Sequence, residues 1–399
     1  MSLFAEFHLI QSFAPSNLNR DDTGAPKDAV FGGYRRARVS SQCFKRSVRT
    51  WFQTSGLIDP HALGTRTRLL DRKLGPELAA IGVKDPMRFN EIVKLALKKK
   101  AGKSEGGSDD KEGEGDNGGA LLSYLLFISP AEIASLRAVI STHAETLGQL
   151  ASKKKLKASD IPDSLKLAIR DSLSSLKAID IALFGRMLAD LPEANQHAAS
   201  QVAHAISTHR VEREFDYFTA VDDEGGADET GAGMIGHVEF NAATFYRYAV
   251  VDVHKLAANL QGDNALALQG LLAFAEGLAR ALPTGKQNSF AAHNPPSFVG
   301  VVLRHGSPLN LANAFEKPVA PKAQQPLTEL SVGALAAYER QLAGSYGDGR
   351  DRWAVLDLTG AWPADLGEHR SSLAALLQWL RDQVQPILPA AAPAEPAEA

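Results

Sequence analysis

The first residues of the chain alternate between apolar and polar side chains, a pattern that predicts a half-buried β-strand over residues 3–12. Glu6 and His8 stand between apolar neighbours in this stretch. A long polar connection follows over residues 14–38. A connection of that length in a compact domain is usually functional or disordered, so it marks a first region of interest.

An amphipathic helix is predicted to follow, capped by Ser40 or Ser41. Four large apolar residues recur at the spacing i, i+4, i+7 and i+8, which places them on one face of a helix. They are Phe44, Val48, Trp51 and Phe52. This stripe is expected to pack against a core.

Residues 57–190 have a mainly helical pattern that is interrupted at 98–120 by glycine, serine and charged residues. Such a composition buries too little apolar surface to become ordered, so we predict a disordered loop there. Residues 209–234 show β-favouring residues that lead into an acidic, glycine-rich stretch. This pattern predicts a projecting β-hairpin.

The remaining chain alternates between predicted strands and helices. Strands are expected at 236–253 and 297–304, with a helix at 264–282 between them. Together with the first strand and helix, this order indicates an α+β fold whose core is a ferredoxin-like split βαβ unit around a helical insertion.

Composition narrows the class of protein further. The chain has 399 residues, of which 44% are hydrophobic and 22% charged, as in ordinary soluble globular proteins. It has no run of eighteen apolar residues, and its start lacks the features of a secretory signal, so we expect a cytoplasmic protein. A single cysteine, Cys43, excludes an intramolecular disulfide framework and a zinc site of several thiolates.

Positive charge is concentrated in one short segment. The formal net charge is −3, yet residues 20–49 carry +5 and the remaining 369 residues carry −8. Solubility does not require this asymmetry, so the segment is expected to bind a polyanion. Its basic residues are Arg20, Lys27, Arg35, Arg36, Arg38, Lys45, Arg46 and Arg49.

The predicted helix collects several of these residues on one side. On a helical projection, Gln42, Lys45, Arg46 and Arg49 lie on the side away from Phe44. The backbone amides of the first turn and the serine hydroxyls point to the same neighbourhood, which favours a phosphate. Gly32 and Gly33 are expected to let a backbone approach closely. This constellation suits the backbone of a nucleic acid, although a solvated face of an amphipathic helix has the same pattern.

Aromatic residues form a second candidate site in the predicted hairpin. Phe215, Tyr217, Phe218 and Val221 stand in a polar, acidic setting. They belong either to a core or, on a projecting hairpin, to a surface that stacks on bases. Lys286 and Gln287 follow a predicted helix end, and a C-terminal cationic cap is their simplest interpretation.

The sequence contains little that indicates catalysis. His204 and His209 are poorly spaced for two metal ligands on one helical face. The sequence has no His-Glu-x-x-His motif and no Walker loop. The pairs Asp21–Asp22 and Asp222–Asp223 are compatible with a divalent ion and phosphodiester cleavage, which leaves a metal-dependent ribonuclease as the alternative function. We expect no cofactor and no enzymatic activity.

The segment 16–49 resembles the CasC family, the backbone subunit of the type I-E CRISPR Cascade surveillance complex. Further motifs of that family follow in family order and extend the resemblance over nearly the whole chain. They are "DIALFGRM" at 180–187, "AHAISTHRVEREFDYFTAVDD" at 203–223, "EFNAATFYRYA" at 239–249, "KQNSFAAHNP" at 286–295 and "LANAFEKPV" at 311–319.

The resemblance implies a right-hand-shaped protein with an RNA-recognition-like (RRM) palm, helical fingers and a hairpin thumb. The palm would comprise residues 1–56 and 236–388, the fingers 57–194 and the thumb 195–235, followed by a disordered tail at 389–399. Several copies would line up along one CRISPR RNA, in contact with other Cascade subunits and the target DNA strand, and without a membrane partner. A membrane-surface helix is disfavoured because its aromatic residues serve their own core.

The resemblance also implies a set of RNA-binding residues. Palm contacts to guide phosphates would come from Arg20, Lys27, Ser40, Gln42, Lys45, Arg46 and Arg49, while Met187, Tyr217, Phe218 and Val221 would pack where the guide kinks. Ser41, Arg35, Arg36, Arg38, Lys286 and Gln287 complete the candidate set.

Overall fold

The computed structural model describes residues 2–97, 125–173, 177–188, 191–220, 234–347 and 349–388. The predicted loop at 98–120 and the predicted tail at 389–399 lie outside these residues. The described chain forms two compact units. The first contains residues 1–57, 200–257 and 264–399, and the second contains residues 58–199 and 258–263.

The fold mixes helices with one large sheet, consistent with the predicted α+β class. The described strands are β1 (Leu3–Ser16), β2 (Asp28–Phe31), β3 (Tyr34–Val39), β4 (Thr65–Thr67), β5 (Leu126–Ile128), β6 (Ser200–Val202), β7 (Ala205–Ser207), β8 (Glu214–Ala220), β9 (Met234–Asp252), β10 (Phe298–His305), β11 (Arg352–Asp357) and β12 (Glu368–His369). The described helices are α1 (Ser41–Thr54), α2 (Asp71–Ala80), α3 (Met87–Leu97), α4 (Pro130–Thr142), α5 (Ala144–Ser152), α6 (Asp163–Ser172), α7 (Ile179–Phe184), α8 (Val253–Asn259), α9 (Asn264–Arg280), α10 (Gln287–Phe290), α11 (Leu327–Tyr346) and α12 (Leu373–Val384).

The large sheet of the first unit has the order β12-β11-β10-β1-β9-β7-β3-β2. Its centre is antiparallel, with β1 hydrogen-bonded to β10 on one side and to β9 on the other. Strand β9 also pairs with β6 and, at its N-terminal end, with β8. One 19-residue strand therefore belongs both to the sheet and to a hairpin.

Alternate residues of β1 pack on opposite faces of this sheet, but the strand is buried on both faces and not half-buried as the alternation predicts, because helices cover both sides of the sheet. On one face, Phe7 meets Phe274 of α9 edge to face, with ring centroids 5.8 Å apart. Helix α9 packs there against α1, where a side chain on Gly277 would contact Val48 at 3.0 Å. On the other face, Ile10 belongs to a buried cluster that includes residues of α11 and β11. The sheet thus fixes α1 on one face through an apolar core.

The second unit has its own core of leucine, isoleucine and valine residues from its helices. Beneath them lies a buried ion pair between Arg186 and Glu132, with Nη1 and Oε1 2.8 Å apart. Arg186 also donates hydrogen bonds to the carbonyls of Phe127, Leu173 and Ala194. Because each of these groups is satisfied, the charge is tolerated in an apolar interior.

Candidate nucleic-acid interface

Helix α1 begins where the serine pair predicts it. Ser40 is the N-cap, and its hydroxyl accepts a hydrogen bond from the backbone amide of Cys43 at 3.4 Å. The Ser40 amide donates to Oδ1 of Asn19 at 2.8 Å, and the Ser41 hydroxyl donates to Oε1 of Gln42 at 3.4 Å. Since the first turn contains no acidic residue, the positive end of the helix dipole is not compensated by a carboxylate of that turn.

The two faces of α1 separate as the helical projection predicts. Phe44, Val48 and Phe52 are buried, and Trp51 is half-buried. On the other side lies the α1 stripe, which we define as Gln42, Lys45, Arg46 and Arg49. Gln42 and Arg46 are exposed, and Lys45 and Arg49 are half-buried. The stripe therefore presents three cations on one helical surface.

A buried arginine supports α1 from below. Arg247 of β9 places its guanidinium 3.9 Å from the centre of the Phe44 ring and donates to Oε1 of Gln11 at 2.5 Å. Burial lowers the pKa of Arg247 to about 9. The contact fixes Phe44, and with it the rotation of α1 that directs the stripe outward.

A groove of about 830 Å³ lies beside the stripe, between the loop at 18–24, α1 and the segment at 280–285. Three arginines from these three elements line it, namely Arg20, Arg46 and Arg280. Arg280 also pairs with Glu276 across one helical turn, with Nε and Oε1 2.8 Å apart. Sequence reasoning missed Arg280 because only the fold brings it beside residues more than two hundred positions away.

Lys27 and Arg38 are joined through their backbones at the edge of this region. The Arg38 amide donates to the Lys27 carbonyl at 2.9 Å, and its Nε donates to the Asp28 carbonyl at 3.0 Å. A ring nitrogen of His204 lies 3.0 Å from Arg38 Nη1. Burial and then the two cations, Arg38 and Lys27, lower the pKa of His204, which favours a neutral ring that accepts from Arg38.

The structure does not place Arg36 on the surface, and this corrects the predicted set. Arg36 is 0% exposed, and its guanidinium donates to the carbonyls of Ser207 at 2.9 Å and Phe315 at 2.7 Å. A side chain held by buried carbonyls has no surface for a phosphate. Its neighbour Arg35 is exposed and forms an ion pair with Asp28.

Of the two glycines, only Gly32 allows a close approach, and the group that approaches it is the protein's own backbone. Gly32 has φ +59°, and a Cβ built on it would lie 1.8 Å from the carbonyl oxygen of Glu316. Gly33 has φ +82° and open space around it. The turn between β2 and β3 is thus pressed against residue 316, next to the carbonyls that Arg36 binds.

The predicted hairpin is present as the antiparallel pair of β8 with residues 234–240 of β9. Phe215, Tyr217 and Phe218 are 69%, 56% and 40% exposed, so they do not fill a core. Tyr217 lies beside His237, with ring centroids 5.3 Å apart, and the Phe218 ring covers Gly236. Val221, Asp222 and Asp223 lie outside the described residues.

Three further candidate residues lie elsewhere. Met187 belongs to the second unit and is 80% exposed. Lys286 and Gln287 stand in a tight turn, in which Lys286 has φ +50° and the Gln287 side chain donates to the carbonyls of Pro283 and Ala292. Gln287 therefore has a structural role in this loop.

In the acidic pair Asp21–Asp22, the Asp21 carboxylate already binds groups of its own loop. The Asp21 carboxylate accepts from the amides of Thr23 and Ala25 and from the Thr23 hydroxyl. These hydrogen bonds, the hydroxyl first, lower the pKa of Asp21. Across the residues that the structure describes, no cluster of three or more histidine, cysteine, aspartate or glutamate side chains has an arrangement suited to a metal ion.

Over the described ranges, no helix has both the length and the apolar character needed to cross a lipid bilayer.

The chain is similar to chains of solved structures, of which two are described. One is a chain of a CRISPR RNA-guided surveillance complex, pre-nicking, with 31% identity and a TM-score of 0.81 over 96% of this chain and 100% of that one. The other is a chain of a CRISPR RNA-guided surveillance complex, with 26% identity and a TM-score of 0.70 over 95% of this chain and 99% of that one. No match was found among the curated proteins.

The family comparison covers almost the whole described chain. The family model of the CT1975-like proteins matches residues 5–379, which include the α1 stripe, the second unit and most of the first unit. The chain therefore belongs to the CT1975-like protein family.

Proposed function

We propose that this chain is a non-catalytic, RNA-binding subunit of a CRISPR RNA-guided surveillance complex, of the type I-E CasC kind. Several copies bind along one CRISPR RNA and display its bases for pairing with a target DNA strand, in contact with other Cascade subunits. The observation that carries the proposal is the α1 stripe on a helix whose first turn contains no acidic residue. The similarity to chains of two such complexes supports it.

The character of the site favours backbone contacts over the reading of bases. The α1 stripe and the neighbouring groove offer cations and the hydroxyls of Ser47 and Thr50, beside the carboxylates of Asp21 and Asp22. Cations and hydroxyls bind phosphates of any sequence. A guide-holding subunit must accept every spacer, so this lack of base selectivity suits the function. Sequence discrimination is then left to base pairing, as in other RNA-guided effectors.

We further propose that the first unit contains an RRM-like palm and that β8 and residues 234–240 of β9 belong to the thumb. The order β10-β1-β9-β7, with α1 and α9 packed on one face, is that of a ferredoxin-like split βαβ sheet. The exposed rings of Phe215, Tyr217 and Phe218 are suited to stacking on bases or wedging between them.

Removal of two cations from the stripe tests the proposal. In the double variant Lys45→Ala, Arg49→Ala we expect weaker retention of single-stranded RNA for all sequences alike. The association constant for RNA falls as the salt concentration rises, and the steepness of log K against log salt should decrease by about 0.7 for each lost phosphate contact. The matched control is Lys317→Ala, Lys322→Ala, which removes two exposed cations of the same unit outside the stripe. Equal slopes in both variants, or a loss that depends on RNA sequence, contradict the proposal.

Two further measurements test the assembly and the lack of catalysis. Native mass spectrometry should find several copies on one RNA, and a single copy would count against the proposal. Incubation of the assembled protein with guide, complementary RNA and Mg²⁺ should leave the RNA intact. Cleavage that is abolished by Asp222→Ala and Asp223→Ala would instead favour the metal-dependent ribonuclease.

A further inference from the structure

Four charged residues meet at the base of the hairpin, where β8 leaves the large sheet. Arg213 directly precedes β8, and its two terminal nitrogens bind two different carboxylates. Nη2 lies 2.9 Å from Oδ2 of Asp28, and Nη1 lies 3.1 Å from Oε2 of Glu239. The same Asp28 oxygen pairs with Arg35. We call Arg35, Asp28, Arg213 and Glu239 the hairpin-base cluster.

The cluster connects three parts of the first unit. Asp28 begins β2, Arg35 lies in β3, and Glu239 lies in the part of β9 that pairs with β8. The side chains of Asp28, Arg213 and Glu239 are 24%, 26% and 28% exposed, so their ion pairs are partly shielded from water. Burial alone would lower the pKa of Arg213, but Asp28 and Glu239 together raise it.

Hydrogen bonds to three backbone carbonyls hold the same place. The Val211 amide donates to the Arg35 carbonyl at 3.1 Å. Asn17, which is 0% exposed, donates from Nδ2 to the carbonyl of Glu239 at 2.9 Å and to that of Gly24 at 3.0 Å. Both strands of the hairpin are therefore tied to the sheet at their base, whereas residues 214–218 of β8 are exposed.

The charges of the cluster cancel, since it contains two arginines and two carboxylates. Its net attraction for a phosphate is consequently small, which separates it from the α1 stripe. A planar guanidinium that binds two carboxylates fixes an angle between them, which a lysine ammonium cannot do because it is a point charge on a flexible stem.

We infer that Arg213 and Asp28 are positioning residues that set the direction in which the hairpin leaves the sheet, and with it the placement of Phe215, Tyr217 and Phe218. The consequence for RNA rests on the proposed function, in which these rings meet the guide at regular intervals. A hairpin whose direction varies would still bind the same RNA, but its rings would no longer meet the guide at regular intervals.

The direction of the hairpin can be measured without RNA. Two spin labels are attached to the full-length chain in a Cys43→Ser background, one at Asp216→Cys in β8 and one at Thr54→Cys at the end of α1, both of which are exposed positions of the first unit. Pulsed electron paramagnetic resonance then gives the distribution of distances between them. We expect Arg213→Lys to broaden this distribution.

The matched control is Arg210→Lys, because Arg210 pairs with Glu212 in an exposed position, with 63% and 77% of the two side chains accessible. Both substitutions preserve charge, and thermal unfolding checks that both proteins fold. If Arg213→Lys unfolds the protein, Glu239→Gln replaces it as the test variant. Equal widths for the test variant and the control overturn the inference.

A second readout connects the hairpin to RNA. The full-length chain is assembled on a single-stranded RNA that carries 2-aminopurine at one position at a time, because the fluorescence of this base rises when it is unstacked. The wild type should show periodic maxima, and Arg213→Lys should lose them while it retains the RNA at unchanged salt dependence. Preserved maxima overturn the inference. If the wild type does not bind RNA, the proposed function fails, and the distance distributions still decide the role of Arg213.

Discussion

The ring of Phe218 occupies the place that a side chain would take at Gly236. A Cβ built on Gly236 would lie 2.3 Å from Cζ of that ring. Because the two residues are direct partners across the β8–β9 hairpin, the glycine lets the ring lie flat over the neighbouring strand.

Gly236→Ala should therefore displace the Phe218 ring and weaken RNA binding by at least about fivefold, since stacking of one base contributes about 1–3 kcal/mol. Fluorescence anisotropy with labelled single-stranded RNA measures the change. A double-mutant cycle with Phe218→Ala provides the control, because Gly236→Ala should have no further effect once the ring is absent. Additive losses would show that the glycine acts independently of the ring.

Arg36→Ala should lower the free energy of unfolding by about 3 kcal/mol, because it leaves buried carbonyls without donors. Arg35→Ala, one residue earlier and more than half exposed, should lower it by less than about 1 kcal/mol. Denaturant titration of the two variants measures the difference. Similar losses of stability would contradict the assignment of Arg36 as a structural residue.

The glycines of the β2–β3 turn form a matched pair. Gly32→Ala and Gly33→Ala both place a Cβ at positive φ, a strain of roughly 1–2 kcal/mol. Only at Gly32 does the Cβ also collide with the Glu316 carbonyl, which should cost at least about 2 kcal/mol more. Thermal unfolding of both variants checks this order, and an equally stable pair would refute the close approach.

His209 makes the stability of the fold dependent on pH. One ring nitrogen donates to the Arg210 carbonyl at 2.8 Å and the other accepts from the Thr244 amide at 3.1 Å, so the ring must be neutral. Burial lowers the pKa of His209 below its ordinary value of 6.5. Its contribution to stability is therefore present above pH 6.5 and is lost as the pH falls through the lowered pKa.

Unfolding free energies measured at a series of pH values below 6.5 should fall less steeply for His209→Asn than for the wild type. His204, whose pKa is also lowered, adds to the slope in both proteins and serves as an internal reference. An unchanged slope in the variant would exclude a half-buried neutral ring at position 209.

Features that depend on neighbours in sequence could be predicted well. The start of α1, its buried stripe and its polar side follow from residues three or four positions apart, and β9 occupies residues 234–252 where 236–253 were expected.

Contacts between distant segments could not be predicted in this way. Arg36 looks like its basic neighbours, and only partners 171 and 279 positions away show that it is buried. The pairing of Arg213 with Asp28 spans 185 positions and leaves no periodic signal in the sequence. Charge counting sums such residues with the exposed ones, so it overstates the positive surface.

Strand β9 couples the interior of the first unit to its exposed rings through one continuous backbone. Residues 241–252 pair with β1 and residues 234–240 pair with β8. An insertion or deletion of a single residue near position 240 would turn every side chain on one part of the strand to the opposite face relative to the other part. The number of residues in β9 therefore sets how far the hairpin reaches from the sheet.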